Sequence, residues 1–255
     1  MKKQIFPLII FGMVALFLAI TGCKKDEGSD DDSGSASTAE PSNPSPTPSD
    51  ADGVLIAIET VTYQSQPFVG TIEIPIGLSV AVFPSLTNAF NDAGTVTCES
   101  TVLTKQNNNS YTSTPSQADP TGISFGSTID WDVAGSTTVP AFNKGVSGAF
   151  PENLELTVAN NDNVSTSMAF TLDTKNAITN ADSVIFGVYG PDGALVVTAT
   201  GSSHTFSAAD MGTVGTGTGF VQVAAYRVAE TETLGTGEVI YYLNEKVNTT
   251  IVNFQ

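Results

Sequence analysis

The chain has 255 residues, a formal net charge of −17, nine Lys and Arg against 26 Asp and Glu, one His and two Cys. Such acidity repels nucleic acid and anionic lipid headgroups and keeps a crowded protein soluble, so a nucleic-acid partner is excluded. One His and at most one spare Cys exclude a Cys/His zinc site, and no cofactor is expected.

Lys2 and Lys3 form a short positive start, and Ile5 to Ile20 (IFPLIIFGMVALFLAI) is almost wholly apolar. That is the length of a secretory leader core and short of the roughly 20 residues of a membrane span. The run ends in Leu18-Ala19-Ile20-Thr21-Gly22-Cys23. This junction resembles the bacterial lipobox. The resemblance implies lipidation of the Cys23 thiol, cleavage between Gly22 and Cys23, and acylation of the new amino terminus. Residues 1–22 are then a lipoprotein signal peptide. Losing Lys2 and Lys3 with it removes two positive charges from −17 and leaves −19. Several acyl chains hold a protein far better than one, at about 0.8 kcal/mol per buried CH₂.

Residues 23–51 read as the lipidated Cys23 and a linker. Lys24-Lys25-Asp26-Glu27 and Ser29-Asp30-Asp31-Asp32 lie directly behind the cysteine. The acidic cluster resembles the surface-export signal of Bacteroidota lipoproteins, which implies an outward-facing position on the outer membrane. Residues 28–51 hold no aromatic or large aliphatic side chain. They cannot bury enough apolar area to offset the entropy of ordering. The prolines at 41, 44, 46 and 48 favour an extended polyproline II stalk.

About 200 residues remain, rich in Thr, Val, Gly and Asn, which favours strands. In chain order the predicted strands are Val54–Tyr63, Phe68–Ile74 (which Pro75 confines to an edge or a bend), Leu78–Phe83, Gly94–Thr104 and Ile123–Val133. Lys144–Gly148 reads as loose chain. In the second half Leu154–Val158 alternates like a half-buried strand, followed by Ala169–Leu172 and the apolar Val184–Tyr189. Gly190-Pro191-Asp192-Gly193 turns the chain into Ala194–Thr200. Ser207 and Asp210 form a capping box for one helical turn. Gly212–Gly219 reads as a flexible Gly-rich loop lacking the Lys of a phosphate-binding motif. Strands at Phe220–Val228, Val239–Leu243 and Lys246–Phe254 close the chain.

The expectation is an all-β protein of two tandem β-sandwich domains, 52–148 and 149–255. The second has the strand count of an immunoglobulin- or fibronectin-like sandwich, without the Cys…Trp…Cys frame. Phe125–Gly135 leading into Val139–Phe142, and Asn180–Phe186, resemble segments of surface lipoproteins of Bacteroidota. That resemblance lends localisation and fold but no catalytic residue.

Candidate chemistry is sparse. Trp131, the only Trp, reads as core; the sharper reading is a stacking platform for a sugar, with Asp130 and Asp132 beside it as ligand contacts. Asp130 and Asp132 share one strand face, and two surface acids flanking a buried Trp is the simpler account. His204 lacks a nucleophile elbow, and its neighbours Ser202 and Ser203 are not placed by adjacency alone. Asn160–Asn163 is chemically able to ligate calcium but reads as a turn, and no metal site is assigned. Cys98, sharing a face with Val96, reads as a buried thiol. The expected role is a non-enzymatic envelope lipoprotein, anchored in the membrane by lipid and presenting itself to a glycan, matrix or protein partner. The alternatives are a glycan-active hydrolase using paired carboxylates and an accessory subunit of an outer-membrane uptake or assembly complex.

Overall fold

A computed structural model describes residues 48, 50–66, 68, 70–85 and 90–255, with only the backbone of 65, 66, 70 and 71. Gly22, Cys23 and the linker to residue 47 lie outside the described residues. The described chain is all-β, with a single helical turn.

The strands are β1 Gly53–Gln66, β2 Gly70–Val82, β3 Val96–Cys98, β4 Thr101–Val102, β5 Thr104–Lys105, β6 Tyr111–Thr112, β7 Thr128–Val133 and β8 Phe142–Ser147. They continue as β9 Asp162–Val164, β10 Phe170–Asp173, β11 Ser183–Tyr189, β12 Ala194–Ala199, β13 Ser203–Phe206, β14 Gly217–Thr233 and β15 Val239–Phe254. Helix α1 spans Ala208–Met211 and begins at the Ser207/Asp210 capping box, with both reciprocal bonds made.

A nine-stranded sheet runs β12-β11-β14-β15-β1-β2-β6-β5, with β9 also on β15. It therefore takes strands from both halves of the chain. The reason is the length of β15. Its first part pairs in parallel with β1 (Val54↔Tyr241 to Val61↔Asn248), while almost its whole length pairs antiparallel with β14. The pairing thus joins the two halves in one sheet, where separate sheets for 52–148 and 149–255 were expected. Two small sheets lie on one face of it. The four-stranded β4-β3-β7-β8 packs over the first half, and the β10-β13 pair over the second.

The packing divides the same way. One core joins Leu55, Phe83, Val96, Ile129, Trp131 and Phe150 to Ile240 and Tyr242. The other joins Leu154, Leu172, Phe186, Phe206, Val223 and Phe254. The chain crosses between them at 147–154, and this crossing is bolted down. Asn244 donates from Nδ2 to the carbonyls of Ser147 (2.7 Å) and Ala149 (3.1 Å), Asn248 to that of Leu154 (2.9 Å), and Asn180 to that of Phe150 (2.7 Å).

Several local expectations change. β2 runs unbroken through Pro75. Ser79 and Gly77 take their outer partners from Ser113 and Thr121, which puts the N–H groups of alternate odd residues on the side away from β1. The missing N–H of Pro75 faces that open edge, where no ladder bond is lost. Gly94–Thr104 breaks into β3 and β4 at Glu99-Ser100, both at positive φ (48° and 65°), a tight hairpin without a glycine to announce it. The predicted strand at 123–133 shortens to β7. Lys144–Gly148, read as loose, is mostly β8 on the edge of the small sheet. Leu154–Val158 forms no strand; it is extended and held by a single bridge, Leu156↔Thr174, because burial of Leu154 and Leu156 rather than pairing dictates its alternation. Gly217–Gly219, assigned to a flexible loop, begins β14. A Cβ at Gly219 would run into the Tyr189 carbonyl and the Phe254 ring, so close packing explains this glycine.

Candidate functional site

The ligand-contact candidates sit on β7. The burial pattern of TIDWDV alternates strictly, with Ile129, Trp131 and Val133 inward and Thr128, Asp130 and Asp132 outward. Trp131 is 2% exposed and belongs to the first core. Its ring offers no face for stacking a sugar, and the core reading is the one its burial fits.

The outward face is polar. Thr97 and Asn143 flank Asp132, and Gly145 lies opposite Asp130. The Asp130 N–H donates to Glu99 Oε1 at 3.0 Å, which ties the β3-β4 hairpin to β7. A side chain at position 145 would meet the Asp130 carboxylate, so Gly145 leaves that acid room. The result is an open, acid- and amide-bearing sheet face around Asp130 and Asp132. A shallow depression of about 140 Å³ is lined by Gly77 of β2, Thr101 of β4 and Ser113, Thr114, Ser116, Asp119, Gly122 and Ile123 of the segment after β6. It is smaller than the 300–1,000 Å³ of an ordinary small-molecule site.

Cys98 is fully buried, and burial pushes its thiol up to about 12, so the reactive thiolate is suppressed. His204 packs against Phe206 (4.7 Å, edge-on) and Phe186 (6.3 Å, stacked). Ser202 is engaged by the chain beside it, its Oγ accepting from the Ile178 N–H at 2.7 Å. These contacts give an aromatic packing role to His204 and do not assemble a triad. Of the Asn160–Asn163 stretch, Asn160 and Asn161 form a turn braced by Asp162, whose Oδ2 accepts from the Ala159 N–H at 2.8 Å, while Asp162 and Asn163 begin β9; Asn161 has φ 67°. Among the described residues no group of three or more His, Cys, Asp or Glu is placed to hold a metal ion. Among them, too, no helix is long and apolar enough to cross a membrane.

Two charged clusters escaped the sequence reading. Lys246, nearly buried, holds Glu73 (2.8 Å) and Glu59 (3.2 Å), and Tyr63 donates to Glu73 at 2.9 Å. Burial pulls the Lys246 ammonium down, but the two carboxylates outweigh it and leave it above its ordinary value. Asp92 takes Lys105 at 2.8 Å and the Tyr111 hydroxyl at 2.7 Å, while that hydroxyl accepts from the Ala93 N–H. Partners so far apart in sequence leave no local pattern to read. The first cluster braces β15, β1 and β2 across the large sheet, and the second, partly exposed, ties the Asp92 segment to β5 and β6.

No protein-family model matches the chain, and a search of curated proteins finds no match either.

Proposed function

We propose that this chain is a cell-envelope lipoprotein, anchored through Cys23 in the outer membrane and exposed at the cell surface, that serves as a non-catalytic binding module. The observation that carries this reading is the sequence at 2–23: a positive start, sixteen mostly apolar residues and the Gly22-Cys23 junction. The chain beyond the cysteine supports it. An acidic cluster and a Pro/Ser stretch separate Cys23 from a folded part that begins near Asp50.

In this reading the folded part is a pair of sandwich modules sharing one sheet, divided at the Ser147–Leu154 crossing where the two cores meet. The partner is a glycan or a protein, met by the outward face of β7 and β8 around Asp130, Asp132 and Asn143. A polar, amide-bearing sheet face suits hydroxyl-rich ligands by hydrogen bonding, without the stacking that Trp131 was a candidate to supply.

Two experiments test it. Protease treatment of intact cells should remove the protein; survival behind an intact outer membrane overturns surface exposure. A glycan array probed with residues 24–255 should give binding that D130N/D132N weakens. Binding unchanged by that double substitution rules out this face, and silence across the array leaves a protein as the partner.

A further inference from the structure

The large sheet ends on one side at β12, Ala194–Ala199. The turn before it sets which groups face outward. The Gly190 N–H donates to the Gly193 carbonyl, and the register continues as Val188↔Leu195, Phe186↔Val197 and Val184↔Ala199. Odd-numbered residues of β12 therefore bond to β11, and the N–H and C=O groups of Ala194, Val196 and Thr198 point away from the sheet. None of these groups bonds to a described residue. The three side chains are exposed as well, Val196 by 38%. In the turn that follows, a Cβ on Gly201 would meet nothing within 4 Å beyond its chain neighbours.

An open edge is a template for another strand, and proteins blunt such edges with charges, prolines, bulges or brevity. The other described strands that are edges along their whole length obey that rule. β4 and β5 have two residues each and β13 has four. β8 carries Lys144, β9 carries Asp162 and β10 carries Asp173. β12 is different: ALVVTA has six residues, no charge, no proline and an unbroken register with β11.

We propose that two copies of this chain pair their β12 strands antiparallel about a two-fold axis at Val196, joining the two large sheets into one. The register Ala194↔Thr198, Val196↔Val196 engages every outward group of the strand, each of the three residues donating once and accepting once. The same register sets Leu195 against Val197 of the second copy. Leu195 and Val197 already pack on the second core, so its apolar layer continues across the joint. A two-fold contact needs only a self-complementary surface, and a strand edge is one.

Charge favours the second copy too. Two molecules of net −17 repel, and this pairing keeps their acids apart. Asp192, the acid nearest the strand in sequence, falls opposite Thr200 of the other copy. It lies four residues before the axis on each copy, so the two Asp192 are about eight residues, or ~27 Å, from each other. That exceeds the screening length of about 8 Å at physiological salt. The pairing is independent of the lipid anchor.

The test uses the full chain, expressed with its leader and purified in detergent. Sedimentation equilibrium from about 1 to 100 μM covers the micromolar affinity suited to so small a contact. A dimer is expected. Val196→Pro removes an outward N–H that the monomer does not use, and Val196→Lys puts two ammonium groups face to face at the axis. Each should raise the dissociation constant at least tenfold with an unchanged circular dichroism spectrum, and the second stands in if the first fails to fold. The register is read by Val196→Cys. Its two copies lie at about 5.5 Å between Cα atoms, within disulfide reach, while Cys98 is buried. Under mild oxidation it should cross-link at least tenfold faster than Val102→Cys, a 63% exposed position on the small sheet. A monomer at 100 μM overturns the proposal and leaves the edge to a strand of a different protein. A dimer indifferent to both substitutions at 196, or cross-linking no faster than at 102, overturns it as well.

Discussion

At the residue scale, single polar side chains do much of the joining. Tyr111 is 1% exposed, yet its hydroxyl donates to Asp92 and accepts from the Ala93 N–H. Tyr111→Phe strands that buried N–H and should cost about 1–3 kcal/mol in a denaturant titration. Asp92 also carries a pH signature. The Lys105 ammonium, then the Tyr111 hydroxyl and the Gly94 N–H, hold its carboxyl down at about 2. A carboxyl lowered on folding stabilises above its ordinary value near 3.8 and loses that contribution as pH falls towards 2. Melting temperature should therefore fall across pH 4 to 2, and Asp92→Asn should flatten that limb; an unchanged limb would remove Asp92 as its source. Asn248 works in the same way on the crossing between the cores. Removing its Nδ2 leaves the Leu154 carbonyl without that donor in a buried setting, so Asn248→Ala should destabilise by about 1–3 kcal/mol.

At the scale of elements, what the sequence made legible was whatever is encoded locally. Apolar density placed β1 and β11, the Gly-Pro-Asp-Gly turn placed the β11-β12 hairpin, and Ser207 with Asp210 placed α1. What it hid depends on distant partners. Nothing near residue 240 announces that β15 takes β1 in parallel and β14 antiparallel, and Pro75 could be placed inside a strand only once its edge was known. At the candidate site the alternation around Trp131 was readable as core against surface. Which residues flank Asp130 and Asp132 was not, because Asn143 and Gly145 arrive from another strand. The Glu99-Ser100 hairpin shows the same limit from the opposite side: backbone pairing imposes left-handed conformations on residues that disfavour them. Ser100→Gly should relieve this and stabilise by roughly 0.5–1 kcal/mol, seen as a higher melting temperature. A lower one would mean that the Ser100 side chain makes stabilising contacts of its own.

At the scale of the whole molecule, one sheet backs two cores, so neither half owns a complete set of strand partners. Scanning calorimetry should show a single unfolding transition with calorimetric and van't Hoff enthalpies equal; two resolved transitions would mean that the halves fold as separate units despite the shared β15. The same architecture suits a molecule held out on a stalk, since both cores hang from a sheet whose first strand, β1, begins where the linker ends. The proposal that unites these features is display from a lipid anchor at Cys23. The most direct measurement is intact mass and amino-terminal sequence of the protein extracted from membranes of the native cell. The account predicts a chain beginning at Cys23 with its thiol and amino group acylated. A chain that still begins at Met1, or one that begins at Cys23 without lipid, would contradict it.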